Sequence, residues 1–317
     1  MSAPFVTAVI CTRNRSSFLR KCLISLQRQD AAAGSYEILV VDNGSTDSTA
    51  ETVKEFRNDP RIRYVYEPVA GLSRARNTGW RNARGSYVGY IDDDATAADT
   101  WVTSVIAVFL ELSPEASWVG GPIELDWEVP GPAWIDEELM VPLGYVNWGQ
   151  IPRSLLRRER LGGGNSAYPK RVLQDLGGFD ERLGRGKNDL LSGEETQFQK
   201  KVEENGGFLY YHPGVKIFHW VGRERIRPAW FYRRYYWGGI TDYFMVQSMI
   251  DTDLSATDDT SATDNGESGK RWQRLVANLV LATGIFAPSG KTIRSRVYLA
   301  YVLGYLAGMF RWKFGKS

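Results

Sequence analysis

Apolar positions along the chain come in blocks whose spacing predicts alternating strands and helices. Residues 5–12, FVTAVICT, are an unbroken apolar and β-branched run, the pattern of a strand buried on both faces. From Ser16 to Gln29 the apolar residues Phe18, Leu19, Cys22, Leu23 and Leu26 recur at helical spacing, with Ser16 or Ser17 as N-cap. YEILVV over Tyr36–Val41 predicts a second strand, closed by the turn string DNGSTDST. A helix over roughly 49–57, a strand over Arg61–Glu67, a helix over 72–84 and a strand over Tyr87–Ile91 follow. This alternation predicts an α/β fold, with a Rossmann-like, mostly parallel sheet flanked by helices and joined by right-handed crossovers.

Beyond residue 99 the pattern changes. A helix carries Trp101, Val105, Val108 and Phe109, and the segment 118–150, with four prolines and four tryptophans, reads as irregular. The turn Gly162-Gly163-Gly164-Asn165 precedes a helix expected at 169–176. GEETQFQKKVEENG predicts a helix with an acidic first turn, and FLYYHP and VKIFHW predict two short strands around a Pro-Gly turn. The resulting division is a globular body over 1–245, a linker over 246–270 and a helical appendage over 271–317.

Charge sharpens that division. The net charge is only +2, but 251–269 carries six acids and no base, whereas 270–317 carries nine bases and no acid. The first stretch reads as a flexible linker. In the second, Leu275–Ala287 and Val297–Phe310 are apolar runs shorter than the roughly 18 residues a membrane-spanning helix needs. Apolar runs with only basic neighbours predict an interfacial helical hairpin on an anionic membrane surface. Ala300, Gly304 and Gly308 give the second run a smooth face for close helix packing. Two cysteines and two histidines in all exclude a disulfide framework and a His-rich metal cage. The first residues lack the basic and long apolar regions of a signal peptide, so the expected location is cytoplasmic, peripheral at the inner face of the cell membrane.

In open parallel sheets, ligands bind at the carboxyl ends of the strands. Four predicted ends carry polar clusters: Thr12-Arg13-Asn14, Asp42-Asn43, the loop leading into Arg74–Asn77, and Asp92-Asp93-Asp94. Three consecutive carboxylates repel one another unless a cation sits among them, which suits a hard divalent ion such as Mn²⁺ or Mg²⁺ bridging to phosphates. Neither a GxGxxG nor a GxxxxGK[ST] string is present, so dinucleotide and P-loop readings lose their support.

The strings VTAVICTRNRSSFLRKCLISLQRQ, YEILVVDNGSTDSTAE, GLSRARNTGWRNARGSYVGYIDDDA, GGGNSAYPKRVLQDLGGFDERLG and GEETQF, in that order, resemble the motif series of glycosyltransferase family 2. The resemblance spans roughly residues 5–240. It implies a GT-A fold, with a nucleotide-binding half over about 1–115 and an acceptor-binding half over about 116–245. It also implies an inverting, metal-dependent hexosyltransferase in polysaccharide or cell-envelope glycan synthesis. Such an enzyme would use a nucleoside-diphosphate sugar, UDP foremost, and a glycan or lipid-linked acceptor; no nucleic acid partner is expected.

Carried over residue by residue, the resemblance places Thr12 with Arg13 or Asn14 near the base, and Asp42 on the uracil edge. It sets Arg74, Arg76 and Asn77 along the base and phosphate pocket, Asp92 and Asp93 toward the ribose or donor sugar, and Asp94 on the metal. In GEET the second acid, Glu195, stands where the family has its general base, one methylene longer than the commoner Asp, with Glu194 as the alternative. Gly164 and Asn165 fall in the loop beneath the sugars. From the residues themselves, His219 is a candidate third metal ligand, and Trp127, Trp134 and Trp148 are candidates to stack on acceptor sugars. The rival readings are a nucleotidyltransferase of the same class, for which CTRNRSS lacks the glycines, and a non-catalytic carbohydrate or nucleic-acid binding protein.

Overall fold

The computed structural model describes residues 4–156, 159–185, 190–256 and 290–314. In chain order the first half runs β1 (Val6–Thr12), α1 (Ser16–Gln27), β2 (Tyr36–Asp42), α2 (Thr49–Glu55), β3 (Ile62–Tyr66), α3 (Leu72–Asn82) and β4 (Tyr87–Asp92). Then come β5 (Ala95–Ala97), α4 (Trp101–Glu111), β6 (Trp118–Gly120), β7 (Ile123–Trp127), α5 (Glu137–Met140), β8 (Arg153–Ser154) and β9 (Asn165–Pro169). The chain continues through α6 (Lys170–Asp175), α7 (Glu194–Glu204), β10 (Leu209–Tyr211), β11 (Ile217–Val221), α8 (Pro228–Ala256) and α9 (Gly290–Phe314).

Eight strands form one sheet in the order β3-β2-β1-β4-β9-β6-β10-β8, and β5-β11-β7 form a second. The first four strands of the large sheet are mutually parallel. The two inner ones are apolar on both faces, β2 buried at every position and β1 at all but Cys11, whereas the edge strand β3 leaves Tyr64 and Tyr66 exposed. One face packs on Leu19, Leu23 and Leu26 of α1 and Val102 and Val105 of α4; the other holds Val9, Leu39, Tyr90, Trp118 and Phe198.

Three sequence expectations need correction. The segment 118–150 is not irregular: it contributes β6, β7, α5 and a 3₁₀ turn at Val141–Leu143. Pro122, Pro130 and Pro132 fall between these elements and Pro142 lies in the short 3₁₀ turn, so no ladder N–H is lost. The residues before the helix expected at 169–176 are a strand, β9, which lies antiparallel between β4 and β6. Finally, α1 is not capped by Ser16 or Ser17; it starts at Ser16, with Arg15 in the N-cap position.

The chain divides into two compact units. One comprises Met1–Pro130, Asp136–Lys187 and Glu194–Gly222; the other comprises Gly131–Ile135, Asn188–Gly193 and Arg223–Ser317. The boundary placed at 245 therefore moves, because α8 runs unbroken through it to Ala256 and takes in the start of the expected linker. The rest of that linker and the run Leu275–Ala287 lie outside the described residues. Within the second unit α8 packs on α9 through the small-residue face expected there. A Cβ at Gly304 would collide with the Tyr236 carbonyl, and one at Gly239 with the Tyr301 carbonyl. The Tyr301 hydroxyl donates to Asp242 at 2.6 Å.

In the large sheet, Gly89 of β4 lets the indole of Trp101 lie flat on the strand. A Cβ there would sit 2.6 Å from the ring, and Trp101 is fully buried. Gly89→Ala should therefore destabilise the first unit by about 1–3 kcal/mol, read as a lower midpoint in denaturant titration with an unchanged slope.

Candidate active site

The site is built where β1, β2 and β4 end side by side. Their register sets Thr12 opposite Asp42, and Cys11 opposite Asp92. Asp93 and Asp94 make the turn from β4 into β5. Because β5 pairs with β11 at Ala95↔His219, His219 arrives beside Asp94, with Nε2 3.4 Å from its Oδ1. The backbone N–H of Trp220 donates to the Asp94 carbonyl at 2.9 Å and fixes the turn. Ligand atoms of Asp92, Asp94 and His219 lie within 4.8 Å of one another. Two carboxylates and an imidazole are a donor set that fits a divalent cation such as Mn²⁺.

Asp93 turns the other way. Its carboxylate accepts from the Thr12 hydroxyl at 2.8 Å and from Arg15 Nη1 at 2.9 Å, and the same nitrogen donates to Asp94 at 2.8 Å. Burial pushes the Asp93 carboxyl up to about 6, with Arg15 opposing and Asp94 adding to the rise. Arg15 was not singled out in the sequence, although it is the last residue of the Thr12-Arg13-Asn14-Arg15 string.

A second carboxylate pair faces this one across the loop before β9. Glu194 and Glu195 occupy the first turn of α7, where the helix dipole favours anions. Arg76, only 3% exposed, donates Nη1 to Glu194 at 2.8 Å and Nη2 to Glu195 at 3.0 Å. Burial raises the Glu194 carboxyl to about 7, with neighbouring Glu195 adding to the rise and Arg76 opposing it. The Glu194 side chain is 3% exposed and that of Glu195 is 30% exposed, so Glu195 is the accessible carboxylate of the two.

The loop Gly162–Gly164 joins the two halves. A Cβ at Gly163 would collide with the Glu195 carboxylate, and one at Gly164 with that of Asp92. Neighbouring glycines, whose Cα atoms lie about 3.8 Å apart, thus bring an acid of the cation cluster and the accessible carboxylate of α7 close together. The Asp92 N–H donates to the Gly164 carbonyl at 3.2 Å, so backbone holds the loop at the end of β4.

Several sequence-predicted residues occupy other places. Thr12 is buried beneath Asp93 rather than open to a base. Asn14 is a loop fastener: it takes a left-handed φ of 54°, and its side-chain oxygen accepts from Thr46 N–H at 2.7 Å. Arg13 is half-buried beside it. Asp42 is buried at the end of β2, where it accepts from Ser45 N–H and the Tyr64 hydroxyl and keeps a second lone pair on each oxygen.

The pocket-lining expectation fails for Arg76, which lies behind the α7 acids. It fails for Asn77 too, which is 2% exposed and donates to the Phe179 carbonyl at 2.8 Å. Arg74 is 41% exposed and pairs with Glu181 at 2.6 Å.

Asn165 also departs from expectation. It is fully buried, accepts from Trp101 Nε1 at 2.8 Å and donates to the Pro122 and Val215 carbonyls, so its amide is taken up in bracing the loop. The Trp148 indole is tied to the Arg160 carbonyl at 2.8 Å, and its ring packs against the core around Trp118. Trp127 ends β7, half-buried opposite Val221. Trp134 belongs to the second unit, edge-on to Phe231 at 5.2 Å.

A parallel sheet ending in an acidic turn, with a carboxylate-bearing helix beside it, is the GT-A type of glycosyltransferase fold. A mannosyltransferase of Pyrobaculum calidifontis, solved with GDP-Man and Mn²⁺, superposes with a TM-score of 0.60 at 18% identity, covering 100% of this chain and 89% of that one. The glycosyltransferase GlyA of Streptococcus pneumoniae is 39% identical over 111 residues, which is 35% of this chain and 16% of that much longer protein. A glucosyl-dolichyl phosphate glucuronosyltransferase of Haloferax volcanii is 24% identical over 245 residues, 76% of this chain and 77% of its relative. Residues 7–124 match the family Glycosyl transferase family 2. That match takes in little more than a third of the chain, which over this part is similar to the family.

Asp94 lies at a turn rather than in a core layer, so Asp94→Ala should keep the fold and its thermal midpoint. It should abolish Mn²⁺ binding, measured by titration calorimetry; full retention of binding removes Asp94 from the cation site.

Proposed function

We propose that the protein is an inverting, cation-dependent transferase that moves a sugar from a nucleoside diphosphate, UDP foremost, to a glycan or lipid-linked acceptor. One observation carries this reading: Asp92 and Glu195 lie against adjacent glycines of one loop. A single displacement needs an acceptor hydroxyl deprotonated on one face of the reacting carbon while the diphosphate departs from the other.

Glu195 is the base on this reading, because it is the accessible acid. Arg76 holds it in place without burying it, and Glu194 anchors Arg76 from behind. Asp92, Asp94 and His219 would hold the divalent cation, which when bound supplies positive charge to the departing diphosphate. Asp42, as enclosed as Thr12 and already held by Ser45 and Tyr64, is not assigned to the nucleobase on this reading. The solved relatives support the donor class, since one carries GDP-Man with Mn²⁺ and another, of Staphylococcus aureus, carries UDP.

A screen of UDP-, GDP- and dTDP-sugars with Mn²⁺ by thermal shift identifies the donor. With that donor, Glu195→Gln should cut turnover by about 10²–10⁴-fold and leave nucleotide affinity unchanged. If Glu194→Gln is the inactive variant and Glu195→Gln the active one, the base is the buried acid and the arrangement fails.

The appendage is proposed to lie on an anionic membrane surface, where a lipid-linked acceptor is found. Among the described residues no helix is long and apolar enough to cross a membrane. The exposed side chains Leu303, Leu306 and Phe310 recur along one side of α9, with Arg294 and Arg296 exposed near its start. The full chain should sediment with vesicles rich in anionic lipid, more weakly as salt rises. Leu303→Asp combined with Phe310→Asp should abolish the salt-resistant part. Equal sedimentation of both proteins excludes this helix as the membrane contact.

A further inference from the structure

The acids at the end of β4 already have a cation of their own. Arg15 Nη1 lies between two carboxylates, 2.9 Å from Asp93 and 2.8 Å from Asp94, while the other oxygen of Asp94 faces His219. Arg15 reaches both acids through this one nitrogen, and among the described residues nothing accepts from its Nε or Nη2, so those donors of the fork remain available. The side chain is 36% exposed.

Its backbone, by contrast, is fixed. Asn14, in its left-handed conformation, is bonded to Ser45 and Thr46, and Arg15 forms the N-cap of α1. The guanidinium is therefore delivered to the acids by a rigid loop and is free only in its side-chain torsions.

We infer that Arg15 is the resident counter-charge of the acidic turn and couples cation binding to diphosphate binding. This inference rests on the proposed use of Asp92, Asp94 and His219 as cation ligands.

Three carboxylates bring three negative charges to one strand end, and a guanidinium in contact with two of them removes part of the field that draws a lone divalent ion. The site without nucleotide is thereby kept weak. A diphosphate changes the balance, because it adds anionic oxygens to the cation's surroundings and also offers oxygens to the open side of the guanidinium fork. Each ligand then improves the site for the other, and by linkage the gain is the same in both directions. Without Arg15 a cation would bind well alone, and the net charge of the loaded turn would repel the diphosphate it is meant to receive. Arg15 is accordingly a positioning residue, acting through the acids and the phosphate rather than on the reacting carbon.

The test is a set of titrations of the full chain with Mn²⁺ alone, and with Mn²⁺ in the presence of UDP or GDP, whichever stabilises the wild type. In Arg15→Gln the affinity for Mn²⁺ alone should rise on the order of tenfold. Its enhancement by nucleotide should shrink by a similar factor. Arg15→Lys keeps the charge and should stay within about threefold of wild type in both.

A merely structural role for Arg15 predicts weaker Mn²⁺ binding in Arg15→Gln. Weaker or unchanged binding of Mn²⁺ alone in that variant, with wild-type binding intact, overturns the inference and leaves the cation reading standing. If the wild type binds no Mn²⁺ with or without nucleotide, the cation reading falls and the inference falls with it.

Discussion

Carboxylates crowded at one strand end cannot all ionise side by side unless positive charge is placed among them, and the architecture around β4 answers that constraint. The last residue of β4 and the turn after it supply three acids, and each is handled differently. Asp93 is drawn inward under Thr12 and Arg15, and its carboxyl is pushed up by burial. Asp94 is shared between Arg15 and His219, and Asp92 is left against the glycine loop. The second acid pair, on α7, shows the same logic: one buried guanidinium, Arg76, serves two glutamates and leaves only Glu195 open. The molecule thus holds five carboxylates in one region with two arginines, and the asymmetry of that sharing separates the acids by role.

Much of this was legible in the sequence. The strands β1, β2 and β4 announce themselves because parallel strands covered on both faces must be apolar almost throughout. The acidic turn follows at one of the four strand ends where the topology offers a ligand site. The fold class and the acidic strings at β4 and α7 are visible locally, although Asp92, expected toward the ribose or donor sugar, stands with Asp94 and His219. His219 comes from local sequence as well, since it stands in a readable strand.

The misreadings share a physical cause: they concern polar residues buried by partners far away in sequence. Arg76 reads as a phosphate ligand because nothing near it reveals Glu194, 118 positions on. Asn165 reads as a sugar contact, but its amide is fully enclosed by Trp101 and two carbonyls from distant loops. β9 is hidden for the same reason, because its first two positions are Asn165 and Ser166, buried by hydrogen bonding rather than by apolar character. Arg15 escapes notice because its meaning lies in Asp93 and Asp94, at the end of a different strand.

The position of β9 also bears on how the molecule is assembled. The units from β1 to β4 are local repeats of strand, helix and strand, and can form early. β9 inserts beside β4 more than seventy residues later and brings the glycine loop with it. Contacts of such long sequence separation close slowly, because loop entropy is lost before they form. The two halves of the site therefore meet only when the last central strand has docked. A partly folded chain can display the acidic turn but lacks the loop and α7 carboxylate beside it, so chemical competence arrives together with the completed sheet.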